Sequence, residues 1–158
     1  FNYERGKCSG IINGIDYSVW DPETDTYILD NYSIKDYEAG KMLNKKALCK
    51  QFNFDENLPL IIFIGRLVNE KAADLLPEAI TKSFQQLDRK FSCLILGRGE
   101  PTVENELKGL QNHWVGYYNT QIDYNENLSH LMYAGADFIL MPCRVEPCGL
   151  NQLYALRY

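Results

Sequence analysis

Three short apolar runs, each stopped by glycine or proline, constrain this chain more than any other feature. Leu60–Ile64 is closed by Gly65, residues 91–96 by Gly97, and residues 138–141 by Pro142. A strand that shows one face to water alternates apolar and polar residues, whereas a strand covered on both faces need not. These runs therefore read as fully buried strands of a parallel sheet. A helical pattern follows each one. Residues 73–87 put Leu75, Ile80, Phe84 and Leu87 near one face, with Pro77 either opening the helix in its first turn or kinking it. Residues 102–110 read as a short helix, and Leu150, Leu153, Tyr154 and Arg157 have the three-and-four spacing of another. A fourth, shorter strand is expected over 112–117, ending in tyrosines, and then a helix over 125–134 marked by Leu128, Leu131 and Met132. Ahead of the first strand, residues 36–52 read as a surface helix with apolar positions at Met42, Ala47, Leu48 and Phe52 and lysines concentrated on the other face. Repeated strand-then-helix units at these lengths predict an α/β fold: a Rossmann-like open parallel sheet with helices on both faces.

At 158 residues and 46% hydrophobic, the chain suits one well-cored domain. Residues 1–35 carry Gly6, Gly10, Gly14 and Pro22 without a helical period, so they read as a linker or irregular lead-in to a domain over 36–158. The start at Phe1 and the stop within an amphipathic pattern at Tyr158 read as cuts in a longer chain. Apolar surface left at the C-terminal edge would then favour self-association, although no oligomeric state can be read. A net charge of −5 with interspersed signs gives no basic stripe, so nucleic acid is not expected as a partner. Nor is a membrane, because no apolar run approaches the roughly 18–20 residues that span a bilayer. Five cysteines without C-x-x-C spacing suit a reduced, intracellular protein. His113 and His130 lie far from any cysteine pair, so no metal is expected.

The stretch with most chemistry is DFILMPCRVEPCGLNQLY, residues 137–154: strand, loop, then helix, with Glu146 at the mouth of the loop. A helix start beyond the carboxyl end of a parallel strand presents unpaired N–H groups to an anion, and Gly149 lets backbone approach it. Glu146 would face whatever the anion carries, or would simply sit favourably at the positive end of the helix dipole. Arg66 and Lys71 follow the first strand. They are a phosphate clamp in one reading and solvated loop charges in the other, and the residues alone favour the second. Gly97-Arg98-Gly99 lacks the third glycine and acidic partner of a dinucleotide fingerprint, so a structural turn is the better reading. Asn13-Gly14 reads as a tight turn.

With these residues in view, the chain resembles the C-terminal nucleotide-sugar domain of bacterial glycogen synthases and plant starch synthases. The resemblance rests on IINGIDYSVWDPETD, FIGRLVNEKAADLL and AGADFILMPCRVEPCGLNQLYALRY, in the family's order and over nearly the whole chain. It implies a partial C-terminal domain of a two-domain GT-B fold. The activity implied is transfer of glucose from ADP-glucose to the non-reducing end of an α-1,4-glucan, with retention and without a cofactor or metal. Matched position by position, Arg66 and Lys71 correspond to the cationic pair on the donor diphosphate, and Glu146 to the active-site carboxylate. Cys148, Gly149 and Leu150 match the loop and helix start that receive phosphate and sugar, Tyr124 an aromatic near adenine, and Asn13 an element of the interdomain cleft. Glu70, Ala72, Cys143 and Val145 depart from residues usual in the family. Tyr154 stands where sucrose-type and mannosyl relatives have a second glutamate, which fits the glycogen and starch synthase branch. The resemblance also implies a cytoplasmic enzyme in a bacterium or a plastid one in a plant, inactive as an isolated fragment. Its alternatives are a related UDP-glucose transferase, or a catalytically silent module that binds sugar nucleotide or glucan.

Overall fold

The computed structural model describes residues 6–158, so the first five residues of the expected lead-in lie outside the described part. Helix α1 (Tyr37–Phe52) precedes strand β1 (Leu60–Ile64). There follow α2 (Leu76–Gln86), β2 (Ser92–Leu96), α3 (Pro101–Leu110), β3 (Tyr118–Gln121), α4 (Glu126–Gly135), β4 (Phe138–Ile139) and α5 (Leu150–Arg157). The strands are all parallel, in the order β3-β2-β1-β4. From β1 the chain winds outward through β2 to β3, then returns across the sheet to place β4 on the other side of β1. The strand order reverses between β1 and β4, and in open α/β sheets ligands bind outside the carboxyl ends of the strands at such a reversal.

Because successive side chains of a strand point to opposite faces, the apolar runs feed two cores. Leu60 and Ile62 of β1 with Leu94 and Leu96 of β2 pack among Leu48, Leu128, Met132 and Tyr133 of α1 and α4. Phe63, Cys93 and Ile95 point the other way, among Leu76, Ile80 and Phe84 of α2 and Val103 and Leu107 of α3. Residues 6–36 form no helix or strand, yet Ile28 and Tyr32 enter the first core and Trp20 packs against it. Asn44 of α1 anchors that segment. Its Oδ1 accepts from Leu29 N at 2.8 Å and Asp30 N at 3.3 Å, and its Nδ2 donates to Asp30 O at 2.8 Å and Gly40 O at 2.9 Å.

Three local expectations are corrected. The fourth strand is Tyr118–Gln121 and not 112–117, which form turns: Trp114 N donates to Leu110 O at 3.1 Å, and Tyr118 N to Trp114 O at 2.9 Å. Trp114 instead tilts against Phe84, 5.2 Å between ring centroids, so its apolar character serves the helix layer. The strand over 138–141 is only Phe138–Ile139 and is not fully buried. Among the described residues it has β1 as its one neighbour, Phe138 is exposed, and residues 139–141 are half-buried. Finally, the helical pattern read over 73–87 starts as a helix only at Leu76, so that Pro77 opens it in its first turn, the first of the two readings given for that proline. Ala73–Leu75 wind as a tighter 3₁₀ turn.

The carboxyl ends of β1 and β2 approach each other unusually closely. Gly65 N donates to Leu96 O at 3.0 Å, Leu67 N to Arg98 O at 2.8 Å, and Glu100 N to Leu67 O at 2.8 Å, extending the ladder past both strands. A Cβ on Gly97 would lie 1.9 Å from Gly65 O, and one on Gly99 would lie 2.2 Å from Leu67 O. The Gly97-Arg98-Gly99 pattern is therefore a close-approach device of the backbone, in keeping with its reading as a structural turn.

Gly97→Ala is expected to destabilise the protein by about 1–3 kcal/mol, because backbone rather than a flexible side chain must give way. Gly109→Ala in α3, where a Cβ meets open space, should instead stabilise by about 0.5 kcal/mol. Urea unfolding midpoints at unchanged slope measure both changes.

Candidate active site

Two adjoining groups of side chains stand at the reversal point. The first centres on Lys71 and Glu146. Lys71 ends a 3₁₀ turn (Asn69–Lys71) whose reversal is made by Ala72 in the left-handed conformation, φ 52°. Its ammonium lies 2.6 Å from Glu146 Oε2, with both side chains about three-quarters buried, at 21% and 24% exposure. The same oxygen accepts from the Cys143 thiol at 3.4 Å, while Oε1 accepts from Gly149 N at 3.2 Å. The Lys71 ammonium holds the Glu146 carboxyl below its usual range, with smaller help from Cys143 and the Gly149 N–H against an opposing effect of burial. Burial, and then the neighbouring carboxylate, push the Cys143 thiol up. Glu146 is thus fixed as an anion, its two oxygens held from three sides.

Gly149, in the left-handed conformation at φ 82°, turns the chain into α5, whose first residue is Leu150. No side chain of the cap residue Gly149 caps α5, and its opening N–H groups carry the positive end of the helix dipole. Cys148 Sγ approaches Asn13 O at 3.7 Å, which brings the Asn13-Gly14 segment beside this corner.

The second group lines a cavity of about 360 Å³. Arg66, Arg98, Tyr124, Trp20, Tyr154 and Asn151 contribute to its wall. Asn151 Nδ2 donates to Ile64 O at 2.6 Å, tying the first turn of α5 to the end of β1 and joining the two groups. Arg66 is exposed and makes no ion pair among the described residues. Tyr124 is exposed, and burial raises the Tyr154 phenol. Of the residues read from the sequence, the fold thus joins Lys71 with Glu146 and Gly149, Arg66 with Tyr124, and Cys148 with Asn13. Sequence reasoning passed over Trp20, Arg98 and Asn151 as wall residues. For Asn151 a signal existed, since a short polar side chain in the first turn of a helix that starts on a strand end commonly serves the backbone there. Trp20 gave none, lying 44 residues before the nearest strand end it walls.

The parallel sheet, the order reversal and the helix start beyond β4 define an open, Rossmann-like α/β domain. The chain belongs to the family described as glycosyl transferases group 1, whose model matches residues 44–158. It is 52% identical to the glycogen synthase of Flavobacterium johnsoniae over 158 residues, all of this chain and 33% of that protein. It is 44% identical to that of Mannheimia succiniciproducens, over 99% of this chain and 32% of that one. The catalytic domain of starch synthase IV from Arabidopsis thaliana, solved with ADP and acarbose bound, superposes with a TM-score of 0.89 at 34% identity. That match covers 99% of this chain and 32% of the plant chain. The chain spans about a third of the length of these curated relatives.

Since pairing with Lys71 is the largest cause of the low Glu146 pKa, Lys71→Met should raise it toward the ordinary carboxylate range. The sign comes from linkage: a depressed pKa stabilises the fold at neutral pH, and that stabilisation is lost as pH falls through the folded-state value. Carboxyl ¹³C titration of Glu146 measures the rise, and the variant should lose less stability on acidification than the parent.

Proposed function

We propose that this chain is the nucleotide-sugar-binding domain of a retaining GT-B glycogen or starch synthase. The whole protein would transfer glucose from ADP-glucose to the non-reducing end of an α-1,4-glucan. The observation that carries the reading is the Lys71–Glu146 pair at the strand-order reversal, between the end of β1 and the start of α5 and beside a nucleotide-sized cavity. Support also comes from similarity over the whole chain to glycogen synthases and to a starch synthase domain solved with ADP.

Breaking the bond between the glucose anomeric carbon and phosphate leaves negative charge on the departing diphosphate and positive charge on the sugar ring. Arg66, Lys71 and the N–H groups opening α5 are the complement of the first charge. The Lys71 ammonium has three donors, so it can hold Glu146 and still reach a phosphate oxygen. Glu146, kept ionised by that pair, is the complement of the second and an acceptor for glucose hydroxyls. Neither role requires a covalent glycosyl-enzyme, and the sequence offers no second carboxylate arranged for one. In the front-face displacement favoured here, the acceptor hydroxyl oxygen bonds to the anomeric carbon as the carbon–phosphate oxygen bond breaks. The bonding pair leaves with the diphosphate, whose oxygen takes the hydroxyl proton on the same face. In this reading Tyr124, on the cavity wall, lies near the adenine, Cys148, Gly149 and Leu150 receive phosphate and sugar, and Asn13 stands at the interdomain cleft.

The reading carries a cytoplasmic location, supported by five free thiols, among them the buried Cys49 and Cys93, and by bacterial relatives. No helix among the described residues is long and apolar enough to cross a membrane.

Calorimetry on the full-length protein tests the assignment. ADP should bind more tightly than UDP, and Arg66→Ala and Lys71→Ala should each weaken ADP by about tenfold or more. Loss of either cation should lower kcat by about 10²–10³, the cost of one transition-state donor. Glu146→Gln should keep ADP affinity and lose turnover. Unchanged ADP binding in both cation variants would overturn the diphosphate clamp.

A further inference from the structure

The loop over 142–149 carries Glu146 without a helix or strand of its own, and Lys71 sits on a separate short turn. A single ion pair between two segments that belong to no strand or long helix does not by itself fix where either lies, since ordering them costs conformational entropy. Arg144 supplies what the pair lacks. Its Nη1 donates to Asn69 O at 2.7 Å and to Asp74 Oδ1 at 2.5 Å, and its Nη2 donates to Asp74 Oδ2 at 2.8 Å. The backbone N–H groups of Arg144 and Val145 both donate to Glu70 O, at 2.9 and 3.1 Å. Asn69 lies just before Lys71 and Asp74 just after it, so the guanidinium grips the turn on both sides of the lysine.

We propose that Arg144 is a positioning residue: it clamps the loop of Glu146 to the turn of Lys71 and thereby sets the geometry of their pair. The planar fork matters, because two parallel donors to Asp74 and one to a carbonyl define an orientation that a lysine point charge cannot. Asp74 answers this grip, its carboxyl held below the usual range by the Arg144 guanidinium. Both side chains are more than a third exposed, at 38% and 37%, so their pairing adds little to global stability. Its effect is local, on register rather than on folding. The inference rests on the proposed function only for its catalytic consequence.

The test uses the full-length protein with Arg144→Lys and, independently, Asp74→Asn. The Glu146 carboxyl is followed by ¹³C titration, its resonance assigned by its loss in Glu146→Gln. Both variants should show the Glu146 pKa rising toward the ordinary carboxylate value with little change in Tm. In a Lys71→Met background, Arg144→Lys should move it no further, the signature of action through Lys71. Transfer from ADP-glucose should lose about tenfold or more in kcat, with KM altered by less than about threefold. Titration of Glu146 unchanged from the parent in both variants would overturn the clamp, even if transfer persists. A shifted Glu146 in the variants of a parent that is itself inert toward nucleotide sugars would keep the clamp and overturn the proposed function.

Discussion

The carboxyl edge of this sheet depends on one close contact, the approach of Gly97 to the Gly65 carbonyl. With no Cβ at 97 or 99, hydrogen bonding between β1 and β2 continues past the strands to a bridge between Leu67 and Gly99. That continuation decides where the cations stand. It carries Arg66 and Arg98 out side by side at the cavity wall, and it delivers the chain from Leu67 into the turn that presents Lys71. Any side chain at 97 would have to part the two backbones and so move both arginines. A pattern too short for a dinucleotide fingerprint thus works as a steric device.

The site is assembled from chain ends, because the reversal of strand order leaves a crevice between β1 and β4 with no strand crossing it. Each connection that leaves a strand end supplies a polar side chain there: Arg66 and Lys71 after β1, Arg98 after β2, Tyr124 after β3, and Glu146 after β4. Opposite charges can then face one centre without sharing a helix or a strand. In surroundings less polar than water, the Lys71 and Glu146 charges interact strongly, and the ammonium makes the ionised form of Glu146 easier to keep. One neutral member would leave its partner's charge uncompensated at a half-buried position, so the two residues function as a unit.

How much of this was legible in the sequence depends on the reach of local pattern. Strands β1 and β2 were readable because both of their faces are covered, which permits unbroken apolar runs. Helix α5 and its approach were readable because Gly149 and the spacing of Leu150, Leu153 and Tyr154 are local signals. Strand β3 was misplaced because Tyr118–Gln121 alternates buried and half-buried positions with polar residues at an edge of the sheet, while the apolar Trp114 and Val115 beside it lie in turns. Edge position likewise explains Phe138, which is exposed within an apolar run. The Arg144 clamp was illegible for another reason. Its partners are Asn69 and Asp74, some 70 residues away, and no periodicity links a guanidinium to a turn at that distance.

The least regular part of the chain builds one wall of the cavity, and its physics differs from that of the sheet. Trp20 lies between His130 and Tyr154, stacked on them at centroid distances of 3.7 and 3.8 Å. Behind this stack, His130 Nδ1 faces Asp25 Oδ2 at 2.6 Å, and the Tyr158 hydroxyl donates to the same carboxylate. Asp25 and Trp20 come from the lead-in, His130 from α4, and Tyr154 and Tyr158 from α5 and its end. Three segments far apart in sequence therefore meet through ring faces and one buried carboxylate rather than through backbone pairing. Each aromatic contact contributes about 0.5–1.5 kcal/mol beyond the area it buries, and a buried carboxylate tolerates its position only while its donors stay in place. Such an arrangement ties α5, and with it the helix start at Gly149, to the lead-in and α4, in addition to the hydrogen bond from Asn151 to the end of β1. The cavity beside the start of α5 depends on both devices, since Gly97 at the backbone approach and Trp20 and Tyr154 of the aromatic stack all line it.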